Sequence, residues 1–218
     1  MQIKSKIIFV FIFILFFDSN IKAAELNIFA DEITVDKKNN ILVGKNDVKV
    51  TDNEGKIITS DKATYEKSKE FLIAEGSVKV VDAEGNILTA DKVSYDKINN
   101  IIIAYNNCEL TLNDGYNVKS KKITYNNNKK IISSNQNSIF KDIEGNIVTV
   151  TMFQYHIEKN LFSSVGKIKV IDIDKNKYFF KELHVDTKKK EMIGSDVSVL
   201  FDQENFGLSK ESDPRFVA

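Results

Sequence analysis

Three aspartates spaced thirty residues apart, Asp31, Asp61 and Asp91, and a second acidic set on the same period, Asp36, Glu66 and Asp96, are the first residues here whose type and spacing suggest chemistry. A carboxylate repeated on one register could hold a ladder of cations, or supply the acidic pair that glycoside hydrolysis uses. Four tyrosines keep the same period, Tyr65, Tyr95, Tyr125 and Tyr155, and an aromatic ladder could stack sugars or bases. Two histidines, His156 and His184, and a single cysteine, Cys108, complete the candidates.

Each candidate also has a plainer reading. The Gly-Gly-x-Gly-x-Asp pattern of calcium-binding repeats is missing, and alternation places the aspartates on the polar side beside bends and turns, so they read as solvated bend residues. The remaining carboxylates are dispersed, whereas a polysaccharide-active site needs them clustered on one face. The histidines fall at different positions of the period and lack the i, i+4 spacing of a zinc helix. There is no phosphate-binding glycine loop, no Gly-x-Ser-x-Gly elbow and no Cys/His nucleophile arrangement. We therefore expect a non-enzyme without catalytic residue, metal or cofactor. Each tyrosine stands beside an apolar neighbour, Ala63, Val93, Ile123 or Phe153, which favours core packing with the hydroxyl reaching an edge over a stacking platform. Cys108 falls where Val48, Val78 and Ile168 fall and reads as a small buried residue; alone, it forms no disulfide within the chain.

These residues are positioned by a repeat. Residues 60–89, SDKATYEKSKEFLIAEGSVKVVDAEGNILT, align without a gap to 30–59 and 90–119, and 120–149, 150–179 and 180–209 continue the register with fading likeness. A fixed period of this size marks stacked supersecondary units. Within a unit, two segments of ten to twelve residues rich in Ile, Val, Thr, Tyr and Phe alternate apolar with polar, as half-buried strands do. One turn carries Gly55, Gly85, Gly115 and Gly145, where a short hairpin loop needs positive φ. Lys175 and Asn205 replace that glycine in the last units, which predicts looser or differently built turns. The other turn, at 37–40 and its repeats, is rich in Lys, Asn and Glu. The strands are expected to bend midway, at Thr59-Ser60-Asp61 in one and at the small residues Gly44, Ala74, Ala104, Ser134, Ser164 and Gly194 in the other. Six units of two bent antiparallel strands then make two facing sheets joined at the bends.

The register names the inward residues. One strand contributes Ile33 and Val35, Ala63 and Tyr65, Val93 and Tyr95, Ile123 and Tyr125, Phe153 and Tyr155, and Leu183 and Val185. The other contributes Val48, Val50, Val78, Val80, Cys108, Leu110, Ile168 and Val170, with Leu42, Leu72, Ile102 and Ile132 before the bend. About a dozen strands at ~4.8 Å each give an interior roughly 50–60 Å long.

At the front, Lys4 and Lys6, the apolar run 7–17 and the pair Ala23-Ala24 read as an export signal over 1–24 rather than a membrane-spanning helix. The repeat domain is expected over 25–209 and a tail over 210–218. The 31 basic and 31 acidic residues are scattered, which excludes a nucleic-acid surface and a polybasic membrane patch.

An export signal followed by thirty-residue units with strands such as Ala-Asp-Lys-Val-Ser-Tyr-Asp (90–96), Glu-Gly-Asn turns (84–86) and Ile-Ala-Glu-Gly-Ser-Val-Lys-Val strands (73–80) resembles the OstA-like family of lipopolysaccharide transport. That family includes the periplasmic bridge protein LptA, the inner-membrane-anchored LptC and the N-terminal domain of the outer-membrane translocon protein LptD. The resemblance covers roughly residues 25–205 and is best over 63–89. It implies an all-β twisted jellyroll, or open β-solenoid, whose apolar groove carries the acyl chains of lipid A. Here that groove would be lined by Ile33, Val35, Ala63, Tyr65, Leu72, Val78, Val80, Val93, Tyr95, Ile102, Ile123, Tyr125, Phe153 and Tyr155. It implies a periplasmic location associated with the outer membrane. It also implies partners, namely lipopolysaccharide and neighbouring OstA-like jellyrolls met edge to edge at Leu26, Ile28, Ile33 and Val35. Asp213-Pro214-Arg215 resembles the exit of translocon proteins toward an outer-membrane barrel, which would lie outside this chain and could hold a partner cysteine for Cys108. The competing expectation is an exported structural or adhesive repeat protein with a fully packed interior.

Overall fold

The computed structural model describes residues 26–202 and 215–217; the expected export signal and part of the expected tail lie outside these residues. The chain forms strands β1 (Asn27–Phe29), β2 (Glu32–Asp36), β3 (Ile41–Thr51), β4 (Ile57–Glu66), β5 (Phe71–Val81), β6 (Ile87–Asp96), β7 (Ile101–Thr111) and β8 (Asn117–Asn126). It continues with β9 (Ile131–Ser134), β10 (Ser138–Lys141), β11 (Ile147–Val150), β12 (Phe153–His156), β13 (Leu161–Ile171), β14 (Lys177–Asp186), β15 (Glu191–Ser195), β16 (Ser198–Leu200) and β17 (Arg215–Val217). All pairings are antiparallel and run in chain order, so the fold is all-β, as the alternation predicts. The pairs β1/β2, β9/β10, β11/β12 and β15/β16 are single strands interrupted at the bend, because both members of each pair bond to one continuous neighbour or line up across the same break.

The bend is a bulge. Between Lys45 and Val48 of β3, two residues face one residue of β4, and the same count recurs after Glu75, Tyr105 and Val165. An extra residue on one strand turns the ladder and sharpens its twist. The doubled positions are left-handed: Asn46 and Asp47, Gly76 and Ser77, Asn106 and Asn107, and Gly166. This relocates the bend expected at Gly44, Ala74 and Ala104. Those small residues lie two positions earlier, buried on the inside of the corner, where an ideal Cβ on Gly44 would already come within 3.1 Å of Ala30 Cβ. They are small because the inside of a corner is crowded, while the bend itself is made by residues that tolerate positive φ.

Two repeats depart from this plan. In the fourth, Gln136 and Asn137 are not left-handed and the ladder opens between β9 and β10. Ser138 takes the inward position of Val48, Val78 and Cys108, and it is satisfied by Ser120 Oγ at 3.0 Å and the Gln136 carbonyl at 2.8 Å. Ser120 in turn meets Ser134 Oγ at 3.1 Å. In the sixth, Glu182 pairs with Ser195 and Phe179 with Ser198, so the bulge has lost its extra residue. The register therefore slips by one, and Val199 is buried where thirty-residue arithmetic would put Leu200.

Hydrogen bonds along both rows of turns tie the repeats together. At one row the fourth turn residue is left-handed in every unit (Asn40, Glu70, Asn100, Lys130, Asn160, Lys190). The carbonyls of the first five accept the N–H of Lys67, Lys97, Asn127, Ile157 and Thr187 at 2.8–3.1 Å. At the other row, Asp82, Asp142 and Asp172 accept the backbone N–H and the side-chain amide of Asn86, Asn146 and Asn176. Each of those asparagines also accepts, through Oδ1, the N–H of the next turn: Asn113, Ile173 and Asp202. The looser turn expected at Lys175 is not found. Lys175 adopts φ 65° and bonds to the Asp172 carbonyl at 3.0 Å, just as Gly145 bonds to Asp142; Asn205 lies outside the described residues.

Candidate functional site

Among the carboxylates that first suggested chemistry, Asp36, Asp96, Asp91 and Glu66 are engaged by neighbouring side chains of their turns and bulges. Asp36 and Asp96 cap their turns, each accepting the side-chain amide of the asparagine three residues on at 2.7 Å, and those bonds hold both carboxyls below the usual aspartate range. Asp91 faces the bulge and accepts the Asn107 amide at 2.9 and 3.1 Å, while Asp61 packs against the bulge at Gly76. His184 lies between Ser163 Oγ at 3.0 Å and Glu182 at 2.9 Å on the outer face. His156, on β12, is apart from it and half-buried.

The bends fold the single sheet into two facing halves, or layers, that touch at Phe140–Phe153 and Lys56–Tyr95, and the remaining candidates converge on the space between them. Ala63, Leu72, Val78, Val80, Val93, Tyr95, Ile102, Ile123 and Phe153 are buried there in one continuous cluster, with Tyr65, Tyr125 and Tyr155 half-buried at its margin. The layers meet directly in the later repeats, where Phe140 approaches Phe153 edge-on at 4.7 Å and Phe162 at 5.1 Å. Such edge-to-face contacts add to area burial. Cys108 lies in this interior at 2% exposure, and burial pushes its thiol up to about 11. Ile33 and Val35 differ from the rest, with 48% and 56% exposure. They stand on β2, which has β3 on one side and no strand on the other among the described residues, so the stack is open at this end. Leu26 and Ile28 pack partly against the core.

Two cavities flank the break in the fourth and fifth repeats. One, about 430 Å³, is lined by Val150, Ile168, Phe179 and Phe180; the other, about 490 Å³, has Met152, Phe153 and Val165 beside Ser133, Ser163 and Ser164.

Opposite the bends, the two rows of turns face each other and form a seam. The tyrosine column lies along it, with hydroxyls reaching polar turn residues: Tyr95 to Asn100 at 3.4 Å, Tyr125 to Asn127 at 2.7 Å, and Tyr155 to Thr187 at 3.3 Å. Burial is the main reason that Tyr125 is pushed up to about 12, with the carboxylates of Glu84, Asp82 and Glu54 adding to it from the facing turns. Lys56 crosses the seam. Its Nζ donates to Asp52 at 3.1 Å in its own turn and to Tyr95 OH at 3.5 Å, and sits 4.6 Å from the Tyr95 ring centre. At the other end, Lys190 meets Glu144 at 3.8 Å with both side chains exposed.

Sequence reasoning missed Lys56 and the serine cluster. Both had a visible signal: a lysine where three other units place asparagine, and Ser138 in a column that reads Val48, Val78, Cys108 and Ile168 around it.

No family model matches the chain, and no curated protein matches it. Among solved structures it is similar to LptH, the LptA homologous periplasmic component of the conserved lipopolysaccharide transport device from Pseudomonas aeruginosa. That likeness has a TM-score of 0.43 and 18% identity, over 47% of this chain and 76% of the other.

Proposed function

We propose that this protein is a non-enzymatic carrier of lipopolysaccharide of the OstA-like kind, holding lipid A acyl chains between its two layers in the periplasm. The observation that carries the reading is the continuity of the interior. The inward positions stay apolar from β3 to β16, broken chiefly by the serines of the fourth repeat, and the stack is left open at Ile33 and Val35. An acyl chain transferred from water into such a space gains ~0.8 kcal/mol per methylene, so a few dozen methylenes suffice without any reactive group. The segments Ala-Asp-Lys (90–92), Glu-Gly-Asn (84–86 and 144–146) and Ala-Glu-Gly (74–76) support the same family.

The exposed β1–β2 edge supports edge-to-edge pairing with a neighbouring jellyroll, since unpaired strand edges are templates for strand addition. An outer-membrane barrel is the further partner this reading implies. The packed contacts among Phe140, Phe153 and Phe162 favour the competing reading, a structural repeat protein that binds through its outer surface. A photo-crosslinking residue at Ile123 or Tyr95, compared with outward Lys79, separates the two. Lipopolysaccharide adducts at the inward positions alone are expected; equal or absent labelling supports the structural reading.

A further inference from the structure

Lys56 is the only charged residue buried as a whole among the described residues, at 7% exposure, and its ion-pair partner Asp52 has a side chain only 2% exposed. Its place in the repeat belongs elsewhere to Asn86, Asn146 and Asn176, whose amides stay in their own turns on Asp82, Asp142 and Asp172 at 2.7–2.9 Å. Lys56 performs that task for Asp52 and then reaches across to the opposite layer. Turn stability does not call for the exchange, because an ion pair withdrawn from water gives little net stabilisation and an asparagine satisfies the same aspartate without burying a second charge. What the lysine adds is length and a donor that closes on the Tyr95 hydroxyl and ring.

We propose that Lys56 is a latch on the seam, holding its two lips together at the β3–β4 end. The stretch from Asn86 and Tyr125 to Tyr116 and Tyr155, which no such bond crosses among the described residues, is where the lips part to admit an acyl chain. The second half of this statement rests on the carrier reading above. Tyr125 and Tyr155 spend their hydroxyls on Asn127 and Thr187, within their own layer, so that stretch is held by packing alone. Lys190 and Glu144 meet beyond it, in water, where an ion pair contributes little.

Cys108 is the native reporter, a lone buried thiol between the strands that carry Tyr95 and Tyr125. Alkylation by N-ethylmaleimide is measured on the full protein without lipid. In Lys56→Asn the turn regains the Asp–Asn pair of its sister units, so the thermal midpoint should stay within a few degrees while the alkylation rate rises about tenfold, the worth of one charge-assisted bond. Tyr95→Phe, which keeps the ring under the ammonium, should give a smaller rise, and Lys190→Ala none. An unchanged rate in Lys56→Asn, or an increase matched by an equal loss of global stability in denaturant, overturns the latch. Because no lipid is present, the two ideas fail separately. Faster alkylation in a protein that yields no lipopolysaccharide adduct removes the carrier reading and leaves the latch; adducts in a variant that alkylates slowly do the reverse.

Discussion

Gly76 shows how a single residue serves a bend. It sits at φ 79° in the bulge opposite Asp91, and a Cβ there would overlap the Asp61 carboxylate. Strain and overlap act together, so Gly76→Ala should cost ~1–3 kcal/mol, read as a lower midpoint in urea. Substituting Gly85, which has open space around an ideal Cβ, meets the positive φ alone and should cost less. The tyrosine column gives a pH prediction. Tyr125 titrates near 12 in the folded protein, above the ~10 of an unfolded tyrosine, so the unfolded chain releases this proton first. Its contribution to stability is complete below about pH 10 and is lost as pH rises through about 12. Tyrosinate absorbance at high pH should show this residue ionising late, and Tyr125→Phe should flatten the loss of stability over that window.

At the scale of elements, the turns do more than reverse the chain. Asn86 donates to Asp82 and accepts from Asn113, one repeat further on, so a single amide stabilises one hairpin and fastens it to the next. Asn86→Ala should cost ~1–2 kcal/mol, since it leaves two hydrogen-bond partners to find replacements. Asn86→Asp keeps the acceptor but places a second carboxylate against Asp82, and should cost at least as much near neutral pH. Chemical denaturation of the three proteins measures both losses. The same logic explains why Lys175 holds a left-handed conformation that lysine disfavours: the Asp172–Asn176 pair of that turn compensates for the missing glycine.

At the scale of the molecule, the two ends of the stack differ. At one end β1 and β2 bond only to β3 and Ile33 is exposed; at the other, β16 is paired by β17, while β15 bonds only to β14 among the described residues and Ile193 is 75% exposed. The carrier reading proposed above assigns the partner to the β1–β2 edge. Ile33→Asp, on a side chain already half in water, should leave the melting temperature of the isolated protein within a few degrees while abolishing co-purification with a neighbouring jellyroll. Retained association would place the contact elsewhere.

The thirty-residue period, the all-β fold and the inward identity of Ala63, Leu72, Val78, Val93 and Ile123 were legible in the sequence alone, because strand alternation and repeat length are local properties that each unit states again. The tertiary structure decided what depends on two units or two layers at once. Where the bend falls is settled by which residues can take positive φ while their neighbours crowd the corner, so Asn46-Asp47 and Gly76-Ser77 make it and Gly44 and Ala74 only fit inside it. The slip that buries Val199 arises from a pairing count across β14, β15 and β16 that no alignment of units contains. The seam exists only once the sheet has folded on itself and brought Lys56 to Tyr95, thirty-nine residues apart in the chain and 4.6 Å apart across the opening. Periodicity assigns a residue to a face; the closing of two faces on each other determines what that residue touches.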